Sequence, residues 1–198
     1  VIELLHRRAE RHALRDVNAG PARLGHDKDA FSPAELDRYA RHIVLRELGG
    51  PGQQKLRAAR VLIVGAGALG SPVALYLAAA GVGRITIADD DTVSLSNLQR
   101  QIMFSEADIG CNKAEAATAR LAGLNPNVEV TPLPRRIEAG DVDLIRKHDL
   151  VLDGTDSFAS RAGVNRACVA AGVPLVGGSI AQWEGQLSIW DPVHDAPC

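Results

Sequence analysis

The chain has 198 residues with 22 Lys and Arg against 24 Asp and Glu, a formal net charge of −2, and so lacks the broad basic surface that tracks a nucleic-acid backbone. Hydrophobic residues make up 46% and charged residues 23%, which is ordinary globular usage, and no apolar run approaches the ~20 residues of a membrane helix. Three cysteines, Cys111, Cys168 and Cys198, are an odd number in a chain whose apolar content needs no stapling, which predicts a reducing cytoplasmic setting rather than a disulfide framework.

Residues 1–30 mix acidic and basic side chains with loosely periodic Val1, Leu4, Leu5 and Leu14. They predict a surface helix, a linker through Asn18-Ala19-Gly20-Pro21 and no signal peptide, an extension ahead of one domain over residues 31–198. Met103 is the only methionine, so Val1 is not an initiator and a trimmed or partial chain is expected. Ser32-Pro33-Ala34-Glu35 places a capping serine, a proline at the first helical position and a glutamate three after the cap. A helix from Pro33 to Leu48 is predicted, ending at Gly49-Gly50-Pro51.

From Arg60 onward, short β-branched runs (61–64, 85–87, 128–130, 150–152 and 175–176) alternate with Ala- and Leu-rich stretches (68–80, 112–124, 139–147 and 158–171). Such alternation predicts an α/β fold, a doubly wound and mainly parallel Rossmann-like sheet with helices on both faces. Gly185 to Trp190 alternate apolar and polar with no helix following, an antiparallel edge strand.

The first run leads straight into Gly65-Ala66-Gly67-Ala68-Leu69-Gly70. In a strand, glycine loop and helix of this kind, Gly65 allows the tight turn, Gly67 lets backbone approach phosphate, and Gly70 permits close helix packing. Asp89 closes the second strand at about the 20-residue spacing where a carboxylate accepts from ribose hydroxyls, which suits NAD and ATP alike. The following stretch, Asp91 to Gln101, with Lys113 and Asp153-Gly154-Thr155-Asp156, separates the two. An Arg and a Lys beside a Ser-Asn pair serve a reaction in which a carboxylate attacks an α-phosphorus, because two anions must be brought together. Asp156, past a central strand, is a hard oxygen ligand suited to Mg²⁺.

On these residues, from about Ser32 to its end, the chain resembles the adenylating enzymes of the MoeB, ThiF and HesA type, distant relatives of the ubiquitin-activating enzymes. Arg38-Tyr39-Ala40-Arg41-His42, the glycine loop, Asp91 to Gln101, Gly110-x-x-Lys113 and Asp153 to Asp156 occur in that family's order. The resemblance implies that Asp89 holds the ribose, Asn97 and Arg100 the triphosphate, Lys113 the phosphates in the transition state and Asp156 the Mg²⁺, with Ser96 near the nucleotide. It also implies a homodimer in which Arg41 enters the partner's site as a permanently charged fork for phosphate oxygens. The substrate implied is the C-terminal Gly-Gly carboxylate of a ubiquitin-like sulfur-carrier protein, activated with ATP for molybdopterin, thiamine or related sulfur transfer.

Two departures accompany the resemblance. Ser157 stands where the family usually has Asn. The family's structural Zn²⁺ is expected, but its ligands lie beyond this chain, with Cys198 matching only the first zinc cysteine. Cys111 and Cys168 read as a variable loop position and a buried small hydrophobe. An NAD-linked oxidoreductase shares the loop and Asp89 but leaves Arg100, Lys113 and Asp156 without work. A non-catalytic nucleotide-binding interaction module is the third reading.

Overall fold

The computed structural model describes residues 30–193; the surface helix and linker predicted upstream, and Cys198, lie outside the described residues. Helices α1 (Pro33–Arg38), α2 (Ala40–Ile43) and α3 (Gly49–Ala58) precede β1 (Arg60–Val64), α4 (Gly70–Ala79) and β2 (Arg84–Ala88). There follow α5 (Lys113–Leu124), β3 (Glu129–Leu133), α6 (Val142–Ile145), β4 (Leu150–Asp153), α7 (Phe158–Ala171), β5 (Leu175–Ile180) and β6 (Gly185–Trp190). The sheet order is β3-β2-β1-β4-β5-β6. All neighbours pair parallel except β5 and β6, the doubly wound arrangement with an antiparallel edge that the sequence predicts.

Alternation along β1 shows why these runs fold as central strands. Val61 and Ile63 enter one apolar cluster with Ala74, Ile85 and Leu121, while Leu62 and Val64 enter the other with Ile145, Val151 and Val164. Every residue from Val61 to Val64 is thus buried, as a strand covered by helices on both faces must be. No described helix is long and apolar enough to cross a membrane.

The helix predicted from Pro33 to Leu48 is not continuous. Its capping box forms, with the Ser32 N–H donating to Glu35 Oε2 at 2.8 Å and the Glu35 N–H to Ser32 Oγ at 3.2 Å. The helix then breaks at Tyr39, which is 4% exposed and accepts from the Asn125 side-chain amide at 2.8 Å. Tyr39 packs so tightly over Gly81 that a Cβ there would lie 2.6 Å from its ring; burying this ring outweighs one more helical turn. Gly49-Gly50-Pro51 begins a helix rather than ending one. Gly49, at φ 63°, closes the preceding turn by donating to Leu45 O at 2.8 Å, and Pro51 falls in the first turn, where its missing N–H is no loss.

Two other boundaries shift. The stretch 139–147 yields only Val142–Ile145. The third strand runs Glu129–Leu133 and contains Pro132, which an edge strand accommodates because its outer side has no ladder to break.

Beneath the sheet, His148 is 6% exposed, with Nδ1 3.0 Å from Leu144 O and Nε2 2.8 Å from Thr86 Oγ1. A carbonyl only accepts, so Nδ1 carries the proton and Nε2 accepts from the hydroxyl. Burial holds the imidazole below its ordinary value of 6.5. The folded state therefore resists protonation that the unfolded chain accepts, and the associated stability, complete above 6.5, is lost as pH falls below it. Thermal unfolding should show this loss between about pH 7 and pH 5, and His148→Gln should flatten that segment of the profile.

Candidate functional site

A cleft of about 810 Å³ opens at the C-terminal ends of β1, β2 and β4, lined by Gly65, Gly67, Asp89, Asn97, Arg100, Lys113 and Asp156 among others. It lies where chain order reverses, between β1 and β4, the place where doubly wound sheets take ligands. The glycine loop has strict backbone requirements. Gly65 adopts φ 88°, and a Cβ there would press on Gly154 at 3.2 Å. A Cβ on Gly70 would lie 1.8 Å from Gly65 O, so α4 starts against the loop itself, its Ser71 N–H donating to Gly67 O and its Pro72 having no N–H to offer. Gly67 is open, its nearest neighbour to an added Cβ being Gln101 Nε2 at 3.8 Å.

Asp89 follows β2 and is 9% exposed. Its Oδ2 accepts from the Ala66 N–H at 2.7 Å and its Oδ1 from the Asp91 N–H at 2.9 Å, so the carboxylate fixes the glycine loop as well as facing the cleft. Burial raises its pKa above the usual aspartate value, against the pull of those two N–H donors.

The Asp91 to Lys113 segment folds back on itself. The Lys113 N–H donates to Asp91 O, Gly110 donates to Val93 O at φ 88°, and Asn112 caps α5 through the N–H groups of Ala114 and Glu115. The Asn112 amide also donates to Asp89 O and Asp91 O. Lys113 is thereby fixed at the first position of α5, 5% exposed, with Nζ 2.9 Å from Asp91 Oδ2. Because Asp91 is 61% exposed at its side chain, the ion pair is buried on one side only, and the aspartate is free to return to water.

Arg100 is held by a hydrogen bond from Nη1 to Ser96 O at 3.1 Å. Ser96 itself does not line the cleft; its Oγ meets Ser94 Oγ at 3.0 Å. Asp156 is exposed on the cleft wall. No hydrogen bond ties its carboxylate among the described residues, and a lone hard oxygen with room around it fits a Mg²⁺ that takes most of its ligands from phosphate and water. Arg41, on α2, is exposed and is not part of this cleft; within one chain the fold does not bring it to the site.

Three residues take places that the sequence did not assign to them. Arg136, beyond β3, reaches the cleft and pairs with Asp90 at 2.8 Å. Arg161 donates to Thr155 O at 3.0 and 2.6 Å and to Gly178 O at 2.6 Å, clamping the loop that bears Asp156 onto β5. Gln101 is buried at the cleft wall. Ser157 caps α7 through the Ser160 N–H at 3.1 Å, so the family's Asn position here serves the helix. Cys168 is 1% exposed with its thiol pushed up to about 12 by burial, an inert packing residue. Cys111 is exposed. His42 meets Gln53 Oε1 at 3.0 Å and Arg38 donates to Leu124 O at 3.1 Å, both packing contacts.

Fold and cleft together define a doubly wound α/β domain of the nucleotide-binding architecture, with cations gathered at its glycine loop. The chain belongs to the ThiF family, whose model matches residues 39–198. It is 49% identical over 168 residues to the probable adenylyltransferase/sulfurtransferase MoeZ of Mycobacterium tuberculosis, covering 84% of this chain and 43% of that protein. It is 46% identical over 162 residues to the sulfur carrier protein ThiS adenylyltransferase of Escherichia coli, covering 81% and 64%. Among solved structures, Escherichia coli MccB with AMPCPP and MccA aligns with a TM-score of 0.65 and 32% identity, over 72% of this chain and 44% of that one. The chain thus spans less than half the length of MoeZ and under two thirds of the ThiS adenylyltransferase.

Proposed function

We propose that this chain uses ATP to adenylate the C-terminal Gly-Gly carboxylate of a ubiquitin-like sulfur-carrier protein. The observation that carries the reading is the placement of buried Lys113, with Arg100 and Asp156, in the same cleft as the glycine loop. The names of the relatives, a probable adenylyltransferase/sulfurtransferase and a sulfur carrier protein adenylyltransferase, support it.

Asp89 is positioned to accept from the ribose, and the loop N–H groups with the start of α4 receive the phosphates. A carboxylate oxygen of the tail bonds to the α-phosphorus as the bond to pyrophosphate breaks, and the acid, already ionised, gives up no proton. Repulsion between the tail and the triphosphate is the main barrier, so Asn97, Arg100 and Lys113 act by placing donors and positive charge where negative charge builds. Lys113 would leave Asp91, which water then solvates, for phosphate oxygens. Asp156 would hold Mg²⁺, which when bound would supply further charge neutralisation.

ATP–pyrophosphate exchange that requires a diglycine-ended carrier tests this function. Tight NAD(H) binding without such exchange would overturn it.

The exposed Arg41 belongs, in this reading, to the partner's cleft in a homodimer. Arg41→Ala and Lys113→Ala proteins, each inactive alone, should recover about a quarter of wild-type exchange when unfolded together, refolded and allowed to assemble at random, since only mixed dimers contain one intact site. Unchanged inactivity of co-assembled mixed dimers would rule out a role across the interface.

A further inference from the structure

Gln101 occupies an unusual position for a polar residue. It is 4% exposed, lines the cleft, and its Oε1 is buried with no hydrogen-bond partner among the described residues. Its backbone is pinned on both sides, the N–H donating to Asn97 O at 3.0 Å and the carbonyl accepting from Phe104 at 3.2 Å. Met103 and Phe104, just beyond, are in the core. Only the carboxamide is left to move, and its terminal torsion is soft and roughly two-fold. Its other end, Nε2, lies beside the face of Gly67 that a side chain would occupy.

Buried polar groups in folded proteins have partners, and an orphan at the wall of a binding cleft points to one supplied by the ligand. The chemistry of the ligand narrows the choice. Phosphate and carboxylate oxygens offer acceptors alone, for which Arg100 and Lys113 are suited. The donors brought by the two substrates are the adenine amino group, the ribose hydroxyls and the N–H groups of the peptide. Asp89 faces the ribose, and the adenine lies beyond the ribose from the phosphates. At the phosphate side, beside Gly67, the peptide N–H is the donor left.

We propose that Gln101 reads the peptide end of the substrate, its Oε1 turning to accept the N–H of the terminal peptide unit and so seating the carboxylate beside the phosphates at Gly67. This rests on the adenylation reading above. It makes Gln101 a positioning residue for the acid rather than a ligand of the nucleotide.

The test uses two carriers, one natural and one made by semisynthesis with the last peptide N–H replaced by an ester oxygen. With the wild-type protein, the ester should raise the carrier KM in exchange about tenfold, the size of one lost hydrogen bond. Gln101→Met should raise the KM for the natural carrier by a similar factor and show no further penalty with the ester. ATP affinity by calorimetry should stay within about twofold throughout. An ester penalty equal in both proteins, or no penalty in the wild type, would overturn the inference while leaving adenylation standing. No carrier-dependent exchange in the wild type would overturn the adenylation reading and this inference with it. The unchanged ATP affinity of Gln101→Met shows that the variant is folded, so its comparison with the wild type assigns the ester penalty to this residue.

Discussion

Replacing Lys113 with methionine is expected to lower the adenylation rate by about 10²- to 10³-fold, the usual effect of removing one preorganised charge-stabilising group from a reacting centre. Methionine fills the same buried volume, and the carboxylate it leaves behind, Asp91, is 61% exposed at its side chain, so water takes over the lost partner. Stability should therefore change by less than about 1 kcal/mol, because the charge removed is the buried one and the charge left behind is solvated as in a surface pair. Affinity for ATP should fall far less than the rate, because the charge matters most where charge develops. Asp91→Asn is the companion variant. It keeps the Lys113 charge but removes its resting partner, and should keep most of the activity. Exchange kinetics alongside nucleotide titrations separate these outcomes; an equal loss in ATP affinity and rate would make Lys113 a ground-state ligand only.

Gly70→Val acts on a different level, the backbone. Even a methyl group at that position would lie 1.8 Å from Gly65 O, and neither partner is a flexible side chain, so the start of α4 must lift from the loop. Overpacking of this kind costs about 3 kcal/mol, which for a domain of this size lowers the melting temperature by about 6–12 °C. Nucleotide affinity should collapse as well, because the loop N–H groups and the helix N-terminus lose their common focus. Gly123 is the control: it is in α5 with nothing within 4 Å of an added Cβ, and Gly123→Ala should stabilise by about 0.5–1 kcal/mol through backbone entropy alone. Scanning calorimetry with and without ATP distinguishes the two glycines.

The contrast between these glycines shows what the sequence made legible. Gly65 and Gly70 stand in a local pattern, strand then loop then helix, and local patterns survive folding, as does the alternation that makes Val61 to Val64 a doubly covered strand. The break at Tyr39 was not legible, because it depends on Asn125 and Gly81 meeting the same ring from distant parts of the chain. Nor was the helix that starts at Gly49, where the residue types that usually end a helix serve one turn's end and the next turn's beginning. Within the cleft, Asp89, Arg100, Lys113 and Asp156 were legible as chemistry in sequence order. The pairing of Lys113 with Asp91 follows from the segment between them folding back on itself, while the arrival of Arg136 beside Asp90 and the clamp from Arg161 to Gly178 follow from strand order in the sheet, and no local spacing announces either.

The account depends on a tail carboxylate bonding to the α-phosphorus of ATP, and isotope transfer tests that bond directly. A carrier whose terminal carboxylate is labelled with ¹⁸O, incubated with ATP and the protein and then cleaved with hydroxylamine, should release AMP carrying one labelled oxygen, detected by mass spectrometry. AMP formed without the label would show that the carboxylate never joined the phosphorus, contradicting the proposed reaction.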